Sequence, residues 1–67
     1  MIQVSVNGES RRLPPGTSLA ALLDELALAG KKVAVERNGD IVPRSRHGAT
    51  LLAEGDRLEI VVAVGGG

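Results

Sequence analysis

The residues with the clearest chemical potential are the last three, Gly65-Gly66-Gly67. They carry no side chains, so any chemistry belongs to the free carboxylate expected at Gly67. A carboxylate is a poor electrophile, because its charge is delocalised and oxide is not a viable leaving group. Transfer of an adenylyl group from ATP turns it into an acyl-adenylate, and a sulfur nucleophile that displaces AMP leaves a thiocarboxylate. For this to happen the terminus must enter another protein's active site. Glycine has no Cβ, so its backbone passes where other residues would clash, and it accepts backbone angles closed to them. A tail of this kind has the means to present the Gly67 carboxylate for covalent modification, with Gly65 and Gly66 giving it access; the other reading of the same glycines is a frayed terminus.

No side chain offers a rival. There are no cysteines, hence no disulfides and no thiol nucleophile. The single histidine, His47, lacks the partners and spacing of a metal site, so no metal is expected. Ser45 lies on the same loop and makes a weak nucleophile–base pair with it, so no catalytic residue is assigned. Arg44, Arg46 and His47 form a small basic cluster with two readings: a solvated loop, or a contact for an acidic partner groove that steers association. Eight Lys and Arg balance eight Asp and Glu, and Phe, Tyr and Trp are absent. The chain thus lacks both the positive field and the stacking platforms of a nucleic-acid binder. Its apolar runs are too short to cross a membrane, and MIQVSVNGE is not a signal peptide. The expectation is a cytoplasmic protein of one domain, monomeric alone, with no bound cofactor.

The elements that would position the terminus follow from periodicity. Ile2, Val4 and Val6 alternate with polar residues as in a half-buried strand. Asn7-Gly8 suits a type I′ hairpin turn, and Glu9 to Leu13 is the antiparallel partner at an edge, ended by Pro14-Pro15-Gly16. Ser18 is the expected N-cap, with Thr17 one step earlier as the alternative. Leu19, Leu22, Leu23 and Leu26 then make an apolar stripe on a helix of roughly three turns, with Gly30 just past its end. Val33 to Arg37 is a third strand. Asn38-Gly39 marks a second hairpin, and Ile41-Val42 is a short fourth strand closed by Pro43. Leu51 and Leu52 read as a buried anchor. Glu54-Gly55-Asp56 is a turn into the last strand, Arg57 to Ala63, with Leu58, Ile60 and Val62 facing inward.

Strands on both sides of one helix imply an α+β layer. The first and last strands are the most strongly patterned and are the expected central pair of a mixed sheet. This is the β-grasp, or ubiquitin-like, fold: four to five strands covered on one face by one helix. The domain is expected over residues 1–64, with residues 65–67 as a flexible tail. Val61 and Ala63 alternate to the face opposite Leu58 and Ile60. With Val64 and Arg44 they form the candidate partner-docking patch beside the tail.

An ordered set of segments resembles the ThiS family of sulfur carriers in thiamine biosynthesis. These are V-N-G-E at Val6 to Glu9, P-G-T-S-L-A-A-L-L at Pro15 to Leu23, N-G-D-I-V-P-R at Asn38 to Arg44 and E-G-D-R-L-E-I-V at Glu54 to Val61, followed by the terminal glycines. The resemblance implies a carrier and not an enzyme. Its terminal glycine would be adenylated by an E1-like, ThiF-like activating enzyme that uses ATP, converted to a thiocarboxylate through a sulfur donor system, and discharged on a ThiG-like thiazole synthase. The alternatives are a MoaD-like carrier for molybdopterin synthesis, a ubiquitin-like protein modifier, and a β-grasp interaction module with an idle tail.

Overall fold

The computed structural model describes residues 1–63. Val64, Gly65, Gly66 and Gly67, and the expectations placed on them, lie outside the described residues.

Strand β1 (Ile2–Val6) turns back into β2 (Glu9–Leu13) through Asn7 and Gly8, at φ 51° and 86°. Both angles are positive, as a type I′ turn requires, and Val6 pairs with Glu9 across the two-residue loop. Asn38 and Gly39, at φ 52° and 89°, repeat the device between β3 (Val33–Arg37) and β4 (Asp40–Ile41). Strand β5 (Arg57–Val62) runs parallel to β1 and antiparallel to β3, giving a five-stranded sheet in the order β2-β1-β5-β3-β4. The first and last strands are indeed neighbours near the centre, and the mixed sheet, with one α-helix among the described residues, is a β-grasp.

Helix α1 (Leu19–Glu25) begins at Ser18, whose hydroxyl oxygen accepts the Ala21 N–H at 3.1 Å. The helix is seven residues long, shorter than the leucine spacing predicts. It ends because Ala27, not Gly30, takes the left-handed conformation, at φ 61°. The Ala27 N–H then donates to Asp24 O at 3.0 Å and the Leu28 N–H to Leu23 O at 2.8 Å, the two bonds of a Schellman cap. Gly30 belongs to the next turn, closed by the Lys31 N–H on Leu28 O at 3.1 Å.

Leu19 and Leu22 are fully buried and pack with Val4, Val6, Leu13, Leu23, Val35, Leu52, Leu58 and Ile60 in one core between helix and sheet. The connection from β4 is a 3-10 helix (Arg44–Ala49), followed by Thr50 to Leu52 clipped against the start of α1. Thr50 O accepts the Leu19 N–H at 2.8 Å, and the Leu52 N–H donates to Thr17 O at 2.9 Å. The first of these bonds satisfies a helix-start donor that has no partner within the helix. The extended path sends adjacent side chains to opposite sides, so Leu52 is buried but Leu51 is 58% exposed, and only one of the pair is the anchor that the sequence predicts. Among the described residues no helix is long and apolar enough to cross a membrane.

Candidate functional site

The strand that leads to the chain end is held most firmly at its start. Asp56, 5% exposed, sits just before β5. Its carboxylate accepts the Ala53 N–H at 2.8 Å, Nε of Arg37 at 2.9 Å and Nδ2 of Asn38 at 3.0 Å. Burial pushes this carboxyl up, but the Ala53 N–H, the Asn38 amide and the Arg37 guanidinium outweigh it and hold the group below the usual carboxylate range. Oδ1 of Asn38 in turn accepts the Arg57 N–H at 2.9 Å.

Asn7 does the matching task further along. Strand β1 ends at Val6, opposite Leu58, leaving the β1 side of Ile60 without a backbone neighbour. The Asn7 side chain fills that place: Nδ2 donates to Ile60 O at 3.1 Å, and Oδ1 accepts the Ile60 N–H at 2.8 Å. The sequence marks both asparagines as turn residues only. The structure gives each a second role as a clamp on β5, because a turn asparagine at positive φ leaves its amide free to reach an adjoining strand.

Beyond Ile60 the strand is held from the β3 side. Val61 pairs with Ala34, Val62 with Val33, and the Ala63 N–H donates to Lys32 O at 2.9 Å. Val62 is 37% exposed, whereas Val61, on the opposite face, is 65% exposed. Val61, Ala63 and Arg44 line one shallow depression together with Lys32, Val33 and Ala34. Three of the four residues expected in the docking patch are thus brought together; Val64 lies outside the described residues. Lys32 and Ala34 were missed by sequence reasoning. The signal for Ala34 was present, since it alternates with Val33 and Val35, but its place beside Val61 depends on the register of two strands far apart in the chain.

The basic cluster divides. Arg44 and Arg46 are exposed, but His47 is 6% exposed, which corrects its expected place on a solvated loop. The Arg46 N–H donates to Pro43 O at 2.8 Å as the 3-10 turn forms, and the tight turn tucks the imidazole inward, where Nε2 lies 3.1 Å from Val42 O. A carbonyl oxygen only accepts, so Nε2 carries the proton. His47 therefore secures the end of β4. Among the described residues no group of three or more His, Cys, Asp or Glu could hold a metal ion.

This geometry has counterparts in known proteins. The chain is 44% identical over 66 residues to thiazole synthase of Paramagnetospirillum magneticum, and equally so to that of Magnetococcus marinus. Each alignment takes in 98% of this chain and 20% of the relative, so the chain spans about a fifth of the length of these curated relatives. The crystal structure of the thiamine biosynthesis protein ThiS from Geobacter metallireducens superposes with a TM-score of 0.81 at 30% identity, covering 98% of this chain and all of that one. The ThiS family model matches residues 4–67, from the first core valine of β1 to the final glycine. By sequence over nearly its whole length, and by backbone, the chain belongs to the ThiS family.

Proposed function

We propose that this protein is a sulfur carrier in thiamine biosynthesis, with Gly67 as the residue that carries the sulfur. A ThiF-like activating enzyme adenylates the Gly67 carboxylate with ATP, releasing pyrophosphate. Sulfur from a donor system then displaces AMP to give the terminal thiocarboxylate, which delivers its sulfur to a ThiG-like thiazole synthase. The carrier is a substrate in each step and catalyses none of them, and it binds no cofactor of its own. In this reading residues 1–64 are the cytoplasmic, monomeric body and residues 65–67 the tail that enters the partner's site.

The observation that carries the reading is the placement of an exposed apolar residue, Val61, where β5 leads toward the glycines, in a chain of the ThiS family. Residues 64 to 67 can reach about 13 Å at ~3.3 Å per extended residue, enough to cross an active-site wall while the body stays outside. Ordering three glycines costs roughly 3–6 kcal/mol at ~1–2 kcal/mol each. Burial of the Val61, Ala34 and Ala63 patch against the partner offsets that cost. The two relatives called thiazole synthase contain a segment 44% identical to this chain, which supports thiazole synthase as the acceptor.

The test is the intact mass of the chain after incubation with ATP, a sulfur donor and the activating enzyme. One oxygen-for-sulfur exchange is expected, lost when Gly66 and Gly67 are deleted. A chain that gains no sulfur, or a truncated chain that still supports thiazole formation in cells, refutes the assignment.

A further inference from the structure

The docking face of β3 and β5 carries an arrangement of charge that the fold itself does not explain. Glu36 and Glu59 are directly opposite each other in the register of the two strands. Like charges in such a cross-strand pair destabilise a sheet. Neither has an ion-pair partner within 4 Å: the one such pair among the described residues joins Arg37 to Asp56. Arg57, two residues before Glu59 on the same face, makes no ion pair with it, and Ile41 is the residue across from Glu36 on β4.

At the other end of the face the sign reverses. The depression beside Val61 is rimmed by Lys32 and Arg44; a second cleft, between α1 and the 3-10 helix on the helix side of the sheet, shares Arg44 and adds Lys31 and His47. No carboxylate lines either one. Lys31, Lys32 and Arg44 make no ion pair among the described residues. The apolar Ala34–Val61 pair lies between the two ends, one pleat from the glutamates. From Glu59 to Ala63 the face thus runs acidic, apolar, cationic over about 13 Å, at ~3.3 Å per residue. In a chain of zero formal charge this separation is local and directional.

We propose that this polarity orients the carrier on its activating enzyme. The enzyme's docking surface is inferred to place carboxylates against Lys32 and Arg44 beside Ala63, and a cationic side chain against the Glu36–Glu59 pair. An apolar patch alone fixes contact but not direction. Two opposite charges at its ends make the reversed pose repulsive at both ends and aim the tail one way. The inference rests on the carrier reading above and adds to it the chemistry of the partner surface.

Glu59→Lys separates this from a structural role. The change converts a repulsive cross-strand pair into an attractive one, so the melting temperature of the full chain should rise by roughly 1–6 °C. In ATP–pyrophosphate exchange with the ThiF-like enzyme of the same organism, the KM for the carrier should rise about tenfold with a much smaller effect on kcat. Lys32→Glu should raise KM similarly from the other end, and Glu59→Gln should shift both readouts in the same directions by less. A more stable Glu59→Lys chain with unchanged KM overturns the proposal, since the acidic pair would then have no partner. So does a KM increase accompanied by a fall in melting temperature, which would make Glu59 a folding residue. Absence of exchange with the unmodified chain is a different result: it refutes the carrier reading itself, and this inference with it.

Discussion

The two ends of β5 are built on opposite principles. At the start, backbone and side chains hold the strand from both sides. The Ser5 N–H donates to Asp56 O and the Asn7 N–H to Leu58 O, each at 2.9 Å, while the Asn38 N–H donates to Arg57 O at 2.8 Å. Leu58 is 1% exposed. At the far end β1 has stopped, the Asn7 amide makes the last contact from that side, and Val62 is already partly in solvent. The fold spends its strongest interactions on the base of the strand and leaves its tip apolar, exposed and supported chiefly from the β3 side. Such a gradient suits the carrier role proposed above: the base fixes the course of β5, and the uncovered tip leaves surface for a partner.

If the base is the anchor, breaking it should cost far more than any change at the tip. Asp56→Ala removes one acceptor from three donors and leaves the part-buried Ala53 N–H and the Arg37 guanidinium without their carboxylate. The expected loss is about 3 kcal/mol, the lower end of the cost of breaking a buried ion pair. A chain of this length has a total stability on the order of 3–10 kcal/mol. The variant should therefore be partly unfolded at ambient temperature, as urea denaturation followed by circular dichroism would report. A loss below about 1 kcal/mol would remove the contrast between the two ends.

The same carboxylate gives the anchor a pH dependence of known sign. The folded pKa of Asp56 lies below its unfolded value near 3.8. Its ionised form therefore stabilises the native state above that value, and the contribution is lost as pH falls through about 4 toward the folded pKa. Asp56→Asn, which keeps the size but cannot ionise, lacks this contribution. The gap in urea midpoint between the parent chain and Asp56→Asn should be widest near neutral pH and should close as pH drops below about 4. A gap that stays constant would mean that Asp56 acts by shape alone.

Midway along the strand, Asn7→Gly isolates the clamp from the turn. Glycine accepts the positive φ of the I′ hairpin, so the turn survives. Both hydrogen bonds to Ile60 are lost, for an expected cost of about 1–3 kcal/mol at ~0.5–1.5 kcal/mol each. Amide exchange should show where it falls: Ile60 should lose protection, whereas Leu58, beside β1, should keep most of its own. Equal loss at both would show that β5 opens as one unit and has no graded end.

The gradient also accounts for how far the sequence could be read. Alternation alone identified β1 and β5, because one face of each is buried and a strand has a period of two. The Asn-Gly pairs located both hairpins through backbone geometry local to the dipeptide. Ser18 was legible as an N-cap for the same reason. What stayed hidden depends on contacts between distant segments. Asp56 reads as one acid in a polar turn until Arg37, Asn38 and Ala53 converge on it. His47 reads as a loop histidine until the 3-10 turn folds it onto Val42. The helix end was misplaced because Gly30 is the usual residue for a left-handed position, whereas the chain uses Ala27 and draws on the two capping bonds to hold it there. In the candidate site, Val61 and Ala63 followed from alternation along one strand, but Lys32 and Ala34 required the pairing of β3 with β5.

The smallest expected effect on stability is the sharpest test of the tip. Val61 is 65% exposed and its side chain contributes nothing to the core between helix and sheet. Val61→Asp should therefore change stability by no more than about 0.5 kcal/mol, as for ordinary surface substitutions. It places a charge in the middle of the apolar stretch that a partner would cover, where an unpaired carboxylate must be desolvated on docking. The variant should have a melting curve close to that of the parent and a clearly higher KM with the activating enzyme. Asp56→Ala reverses this pattern: its folded fraction falls, while the molecules that remain folded present an unaltered face. If Val61→Asp instead destabilises the chain as much as Asn7→Gly does, the tip is part of the folded frame, and the strand is anchored at both ends.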